Sequence, residues 1–208
     1  MTLLFVALSI GVIAGLVTGG RPSNVSRRTI AGTPVLLAAV VAQIVPSILD
    51  ASPSAGLVCV IVSYVLLTAF ALMNIRLIGM PVVLVGLLLN FAVITVNSGM
   101  PVSADAMQSV GRNPGALERT AKRHLEKPDD TLTFLGDVLP VEPFHEVISF
   151  GDLILAFGLA NVVFRLLQPA PLLVRRRPDS LDVLDLRDEV TDLRDSGGFT
   201  STALRLPG

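Results

Sequence analysis

Val147-Ile-Ser-Phe-Gly-Asp-Leu-Ile-Leu-Ala-Phe-Gly-Leu-Ala-Asn-Val-Val-Phe-Arg-Leu-Leu167 reads as one membrane helix with an acid near its start. A spanning helix needs about 20 mostly apolar residues to cross roughly 30 Å of hydrocarbon, and this run has that length. A carboxylate at the centre of such a helix costs roughly 2.5–3.5 kcal/mol on insertion scales, which makes Asp152 a functional candidate. It lies about one turn and a half from the helix start, near the interface, where the cost is smaller. A second acid, Asp137, precedes it in Phe134-Leu-Gly-Asp-Val-Leu-Pro140.

Four further stretches qualify as spans, at about 2–18, 30–49, 56–74 and 79–97, with the fifth at 147–168. Composition agrees. Of the 208 residues, 51% are hydrophobic and 16% charged, and mean hydropathy is +0.70. A soluble domain carries about 25% charged residues, so this chain is short of solubilising surface. The expected fold is an all-α membrane protein: a five-transmembrane-helix bundle over 1–168 with a structured extracytoplasmic loop, 98–146, between the fourth and fifth helices. The first segment has no positive region ahead of it and ends in Thr18-Gly-Gly20, which reads as a retained helix with a glycine stop rather than a cleaved signal. Its Gly11-x-x-x-Gly15 spacing allows close approach of a neighbouring helix.

Basic residues set the orientation. Arg21, Arg27 and Arg28 follow the first segment, Arg76 lies between the third and fourth, and Arg165 with Arg175, Arg176 and Arg177 closes the fifth. The 50–55 connection has no base. Arg112, Arg119, Lys122, Arg123 and Lys127 lie about 15 or more residues from either helix end, where they count little. The N-terminus is therefore expected outside and the C-terminus in the cytoplasm. That topology places the long loop, Asp137 and the start of the fifth helix at the outer face of the cell membrane.

Within the loop, Ser103 can cap a helix over 104–110, with Asp105 in its first turn and Gly111 ending it. A second helical stretch is expected at 115–125, and an extended one at 131–135. Beyond Pro169 the chain becomes an acidic cytoplasmic tail. There Val183, Leu186, Val190 and Leu193 share one helical face, so the tail is either a short amphipathic helix or largely disordered.

Several classes are excluded or disfavoured. A net charge of −1 gives no basic footprint for nucleic acid. The single Cys59 forms no intrachain disulfide and is read as a small filler. His124 and His145 show no ligand spacing such as His-x-x-x-His, so neither a metal nor a cofactor is implied. The first three segments lack ionisable residues at depth, and no inverted repeat is evident, which argues against a transporter. Asn90 and Asn97, seven residues apart, share a face with Gly86 that reads as an interhelical hydrogen-bonding seam. Asn97-Ser-Gly-Met-Pro101 builds a turn whose amides could receive a carboxylate or phosphate.

Several stretches together resemble an uncharacterised family of small bacterial membrane proteins, a domain of unknown function about five helices long. They are Gly19-Gly-Arg-Pro-Ser-Asn24, Asn74-Ile-Arg-Leu-Ile-Gly-Met80, Asn90-Phe-Ala-Val-Ile-Thr-Val-Asn-Ser-Gly-Met-Pro-Val-Ser103, Arg123-His124, Phe134-Leu-Gly-Asp-Val-Leu-Pro140 and Val147-Ile-Ser-Phe-Gly-Asp-Leu-Ile-Leu-Ala-Phe-Gly158. That likeness implies a fold and a membrane location but no reaction. A second, partial likeness is to lipoprotein signal peptidases, which set two aspartates at the outer face near an Asn-x-Gly. Asn97-Ser-Gly99, Asp137 and Asp152 occur here in that order, but Leu135-Gly-Asp137 lacks the Arg of that family's Gly-Asn-x-x-Asp-Arg element.

The residues support two expectations. In the first, Asn97, Gly99, His124, Asp137 and Asp152 bind a ligand, lipid-like or otherwise, or a membrane-protein partner, in an outer-face polar pocket. In the second, Asp137 and Asp152 are the catalytic pair of an intramembrane aspartyl hydrolase, one carboxyl staying acid while the other activates water.

Overall fold

The computed structural model describes residues 2–26, 28–49, 52–116 and 123–169. The tail expectations at 169–208 therefore fall almost wholly outside the described residues.

The fold is mostly helical. Five apolar helices carry it: α1 (Thr2–Val17), α2 (Thr33–Ile48), α3 (Pro53–Met73), α4 (Met80–Val96) and, after a short α5 (Ala104–Ser109) in the long loop, α6 (Phe150–Leu167). Their bounds lie within three residues of the five apolar runs. Pro34, Pro53 and Pro81 open α2, α3 and α4, at positions where a missing N–H costs nothing. Two of the helices, α3 with 21 residues and α6 with 18, are long and apolar enough to cross a membrane.

Neighbours follow the order α1, α6, α4, α3, α2. Small residues set the spacing. A Cβ at Gly11 would stand 2.6 Å from the Ala160 carbonyl oxygen, and one at Gly15 equally close to the Leu167 side chain, so α1 rests directly on α6. On the opposite side of α6, Gly86 meets the Leu155 backbone nitrogen and Gly158 meets that of Val83, each at 2.6 Å. Val60, Tyr64, Val83, Leu87, Val93, Ile94 and Val162 fill the core between α3, α4 and α6. Much apolar surface remains outside it: Phe5, Ile13, Val17, Leu37, Ile48, Val58 and Phe157 are all strongly exposed.

One end is tied by the arginine-bearing connections. Arg21 N–H and Asn24 Nδ2 both donate to the Leu167 carbonyl, each at 2.9 Å, and an Arg28 guanidinium nitrogen donates to Gln168 O at 3.3 Å. Asn74 is bonded to both the N–H and the C=O of Ala31. The long loop covers the opposite end, where Thr2 at the start of α1 reaches it through Glu146.

The loop adds short strands that an all-α reading does not contain. β1 (Met100–Val102) pairs in parallel with β2 (Arg123–Leu125), and β3 (Leu139–Val141) pairs antiparallel with β4 (Glu146–Ile148). Asp137 bridges Val102 in parallel. The helix capped by Ser103 is present as α5, with Ser103 Oγ accepting from Ala106 N–H. Two local expectations fail. Residues 123–125 are strand rather than helix, because β1 offers them a ladder. Residues 133–135 form a 3₁₀ turn rather than an extended run, after Leu132 adopts a left-handed conformation with φ 54°. Val102, Ala106, Met107, Val110 and Val147 give the loop a small core of its own.

Candidate functional site

Ser149 begins α6 as its N-cap, and its hydroxyl accepts the Asp152 N–H at 2.9 Å. This satisfies one of the orphan donors of the first turn and places the acid at the positive end of the helix. Gly151, beside it, has no side chain, so α4 comes close enough for Asn90 to reach both neighbours. Asn90 Nδ2 donates to Asp152 Oδ1 at 2.7 Å, and Ser149 Oγ donates to Asn90 Oδ1 at 2.9 Å. The three residues close a ring of hydrogen bonds in which Asn90 is only 1% exposed. The expected polar seam at Asn90 is thus present, and its partner is the candidate acid itself.

Asp137 is placed differently. Its backbone N–H donates to Pro101 O at 2.9 Å and its carbonyl accepts from Ser103 N–H at 3.0 Å. The side chain is 1% exposed and pairs with Arg123 Nε at 2.8 Å. β1 lies between the two partners in the backbone pairing, so the ion pair crosses it like a clasp. A guanidinium at this distance balances the Asp137 charge.

A cavity of about 270 Å³ opens beside this arrangement. Leu3 and Leu4 of α1, Leu67 of α3, Leu87 of α4, Leu155 of α6 and Ile148 of β4 form its apolar lining. Its polar residues are Gln43, Tyr64, Arg123, Glu146 and Asp152. All five apolar helices contribute. Tyr64 is held by stacking on Phe91, with ring centroids 6.2 Å apart. Burial raises the Glu146 carboxyl, but the hydrogen bond from Thr2 Oγ1 at 2.9 Å and the positive charge of the amino terminus outweigh this and hold it below its ordinary value of 4.5.

Of the residues singled out in the sequence, Asp152 lines the cavity, and Asp137 is paired with Arg123, which also lines it. Asn97 caps α4 and pins the loop: its Nδ2 donates to Val93 O and Thr131 O, and its Oδ1 accepts from Thr131 N–H. Gly99 turns the chain, with its N–H on Ile94 O. His124 faces Asp130, its Nε2 lying 3.0 Å from Oδ2, and closes the turn from 124 to 130. None of these last three lines the cavity. Gln43, Tyr64 and Arg123 were not among the expected binding residues. A signal existed for Tyr64, the single tyrosine of the chain, and for Gln43, a lone amide in an apolar run. Among the described residues no three His, Cys, Asp or Glu side chains converge as a metal site requires.

The family of unknown function DUF5317 matches residues 27–164. This is well over half of the chain, and the chain belongs to that family. No curated protein and no solved structure matches it.

Proposed function

We propose that the chain is a five-span membrane protein whose loop-covered end holds a binding pocket for a small ligand at the outer face. The observation that carries this reading is the cavity: three charged side chains, Arg123, Glu146 and Asp152, stand among leucines drawn from several helices. Concave, mostly apolar sites with a few convergent polar groups are where small molecules bind.

The membrane placement is supported by the strongly exposed apolar side chains, which fall on all five long helices. The helices α1, α2 and α4, of 16, 16 and 17 residues, reach about 24–26 Å at 1.5 Å per residue, enough to cross with help from polar flanks. Orientation is supported by Arg21, Arg28, Arg76 and Arg165, which belong to the end opposite the long loop. Under the positive-inside rule that end faces the cytoplasm. A hydrolase needs Asp137 and Asp152 together. Arg123 engages the former and only the latter lines the cavity, which favours binding over catalysis.

Single-cysteine labelling tests this. In a Cys59→Ala background, Asp129→Cys should react with a membrane-impermeant maleimide in intact cells, and Ser23→Cys only after permeabilisation. The reverse pattern would put the cavity on the cytoplasmic side, and labelling of both in a soluble fraction would remove the membrane placement.

A further inference from the structure

The geometry points to a ligand class for this cavity: a small cationic amphiphile whose ammonium group seats against Asp152 and whose alkyl part lies along Leu3, Leu4, Leu67, Leu87 and Leu155. This deepens the binding reading above and rests on it.

Charge matching leads to it. Among the described residues of the lining the cationic side chain is Arg123, and it is joined through Nε to Asp137 at 2.8 Å. Asp137 is almost wholly buried, and stripping a buried carboxylate of its guanidinium is among the costliest changes a fold can suffer. An anionic ligand would meet a guanidinium whose charge Asp137 already balances. Glu146 is already engaged at the start of α1. Asp152 differs from both. Its hydrogen bonds among the described residues come from the neutral Asn90 amide and run from its own N–H to Ser149. Its carboxylate therefore meets the cavity without a cation beside it in those contacts.

A group that supplies positive charge and several N–H donors on a compact head completes such a site, and an alkylammonium does both. Tyr64 and Gln43 add further polar oxygens to the same lining. The leucine walls select for hydrocarbon behind it. A volume of about 270 Å³ lies just under the ~300–1,000 Å³ usual for ligand pockets, so the ligand is small.

The chain carries a built-in reporter, for it contains one tyrosine and no tryptophan. Tyr64 lines the cavity, so tyrosine emission of the whole purified protein in nonionic detergent reads occupancy directly. We would titrate it with hexylamine, hexanoate and hexanol, three probes of one chain length and different head charge. Hexylamine should bind at least about tenfold more tightly than hexanol, as expected for a close charge pair in an apolar setting. Asp152→Asn should erase that preference while leaving hexanol binding in place, because Asn keeps an oxygen for the Asn90 amide.

The ranking by the native protein stands even if the variant does not fold. Preference for hexanoate, abolished by Arg123→Gln, would overturn the cationic class while leaving the pocket reading intact. Equal binding of all three would mean a plain apolar void and would overturn it too. No response of Tyr64 to any probe would remove the ligand class and the pocket reading together.

Discussion

At the scale of single residues, the Arg123–Asp137 pair is where the loop is most vulnerable. Asp137 is 1% exposed and Arg123 34%, so replacing the arginine leaves a carboxylate with little access to water. Arg123→Gln should destabilise the protein by roughly 3 kcal/mol, the lower end of what breaking a buried pair costs. Adding Asp137→Asn should restore part of that loss, because the buried charge that Arg123 balanced is gone. Thermal unfolding in detergent, compared across both singles and the double, would show this as a non-additive cycle. Strict additivity would mean that the two side chains act independently.

Neither partner is legible as such in the chain. Arg123 stands near the end of a stretch, 115–125, that reads as helical, and Asp137 follows a glycine in what reads as a turn. Thirteen residues separate them from one another, and only the β1 ladder brings them face to face. Asp152 is the contrary case. An acid at the start of an apolar run is conspicuous in any linear reading, since hydrocarbon penalises it wherever the helix packs.

At the scale of elements, the α4–α6 contact is made by glycines with no room for a side chain. A Cβ at Gly86 meets backbone at 2.6 Å, whereas one at Gly115 meets only the far end of the Asn113 side chain at 3.3 Å. Gly86→Ala should therefore push the helices apart and cost about 1–3 kcal/mol, as overpacking does, while Gly115→Ala should stay within about 0.5 kcal/mol of the parent. Melting temperatures of the two variants decide this, and equal values would contradict the packing. Separation at Gly86 should also weaken the Asn90–Asp152 bond, because that bond spans the same two helices.

The limits of the long helices were readable from hydrophobic run length, since each run is long enough to specify itself. The elements of the loop were less so. Ser103 announced α5 through a local capping bond, but three-residue strands hold no pattern of their own. Arg123–Leu125 becomes a strand because Met100–Val102 lies alongside, and 133–135 turns because Leu132 takes a left-handed conformation. Each of these depends on a partner distant in the chain.

At the scale of the molecule, the exposed apolar surface is the property that separates a bilayer protein from a water-soluble one. Phe157, mid-helix in α6, is 67% exposed. On a protein in water, Phe157→Lys would be neutral or improve solubility. Facing lipid, it should cost roughly 2.5–3.5 kcal/mol of insertion free energy, and the yield of protein recovered from membranes should fall sharply. Undiminished recovery together with a larger soluble fraction would argue that the helices pack against protein or water instead.

The linear chain settled those features that each segment carries alone: the apolar runs, their glycine and proline ends, the arginine asymmetry and the conspicuous acid of α6. Hydrocarbon partitioning, capping and headgroup attraction act locally, so no knowledge of neighbours is needed. Folding in three dimensions decided everything that takes two or more segments at once. Asp152 meets Asn90 only because Gly151 lets α4 approach, Asp137 finds Arg123 only across β1, and the cavity exists only where five helices and the loop converge. Contacts between distant residues depend on geometry that no local preference encodes, and the binding chemistry proposed for this protein rests on those contacts.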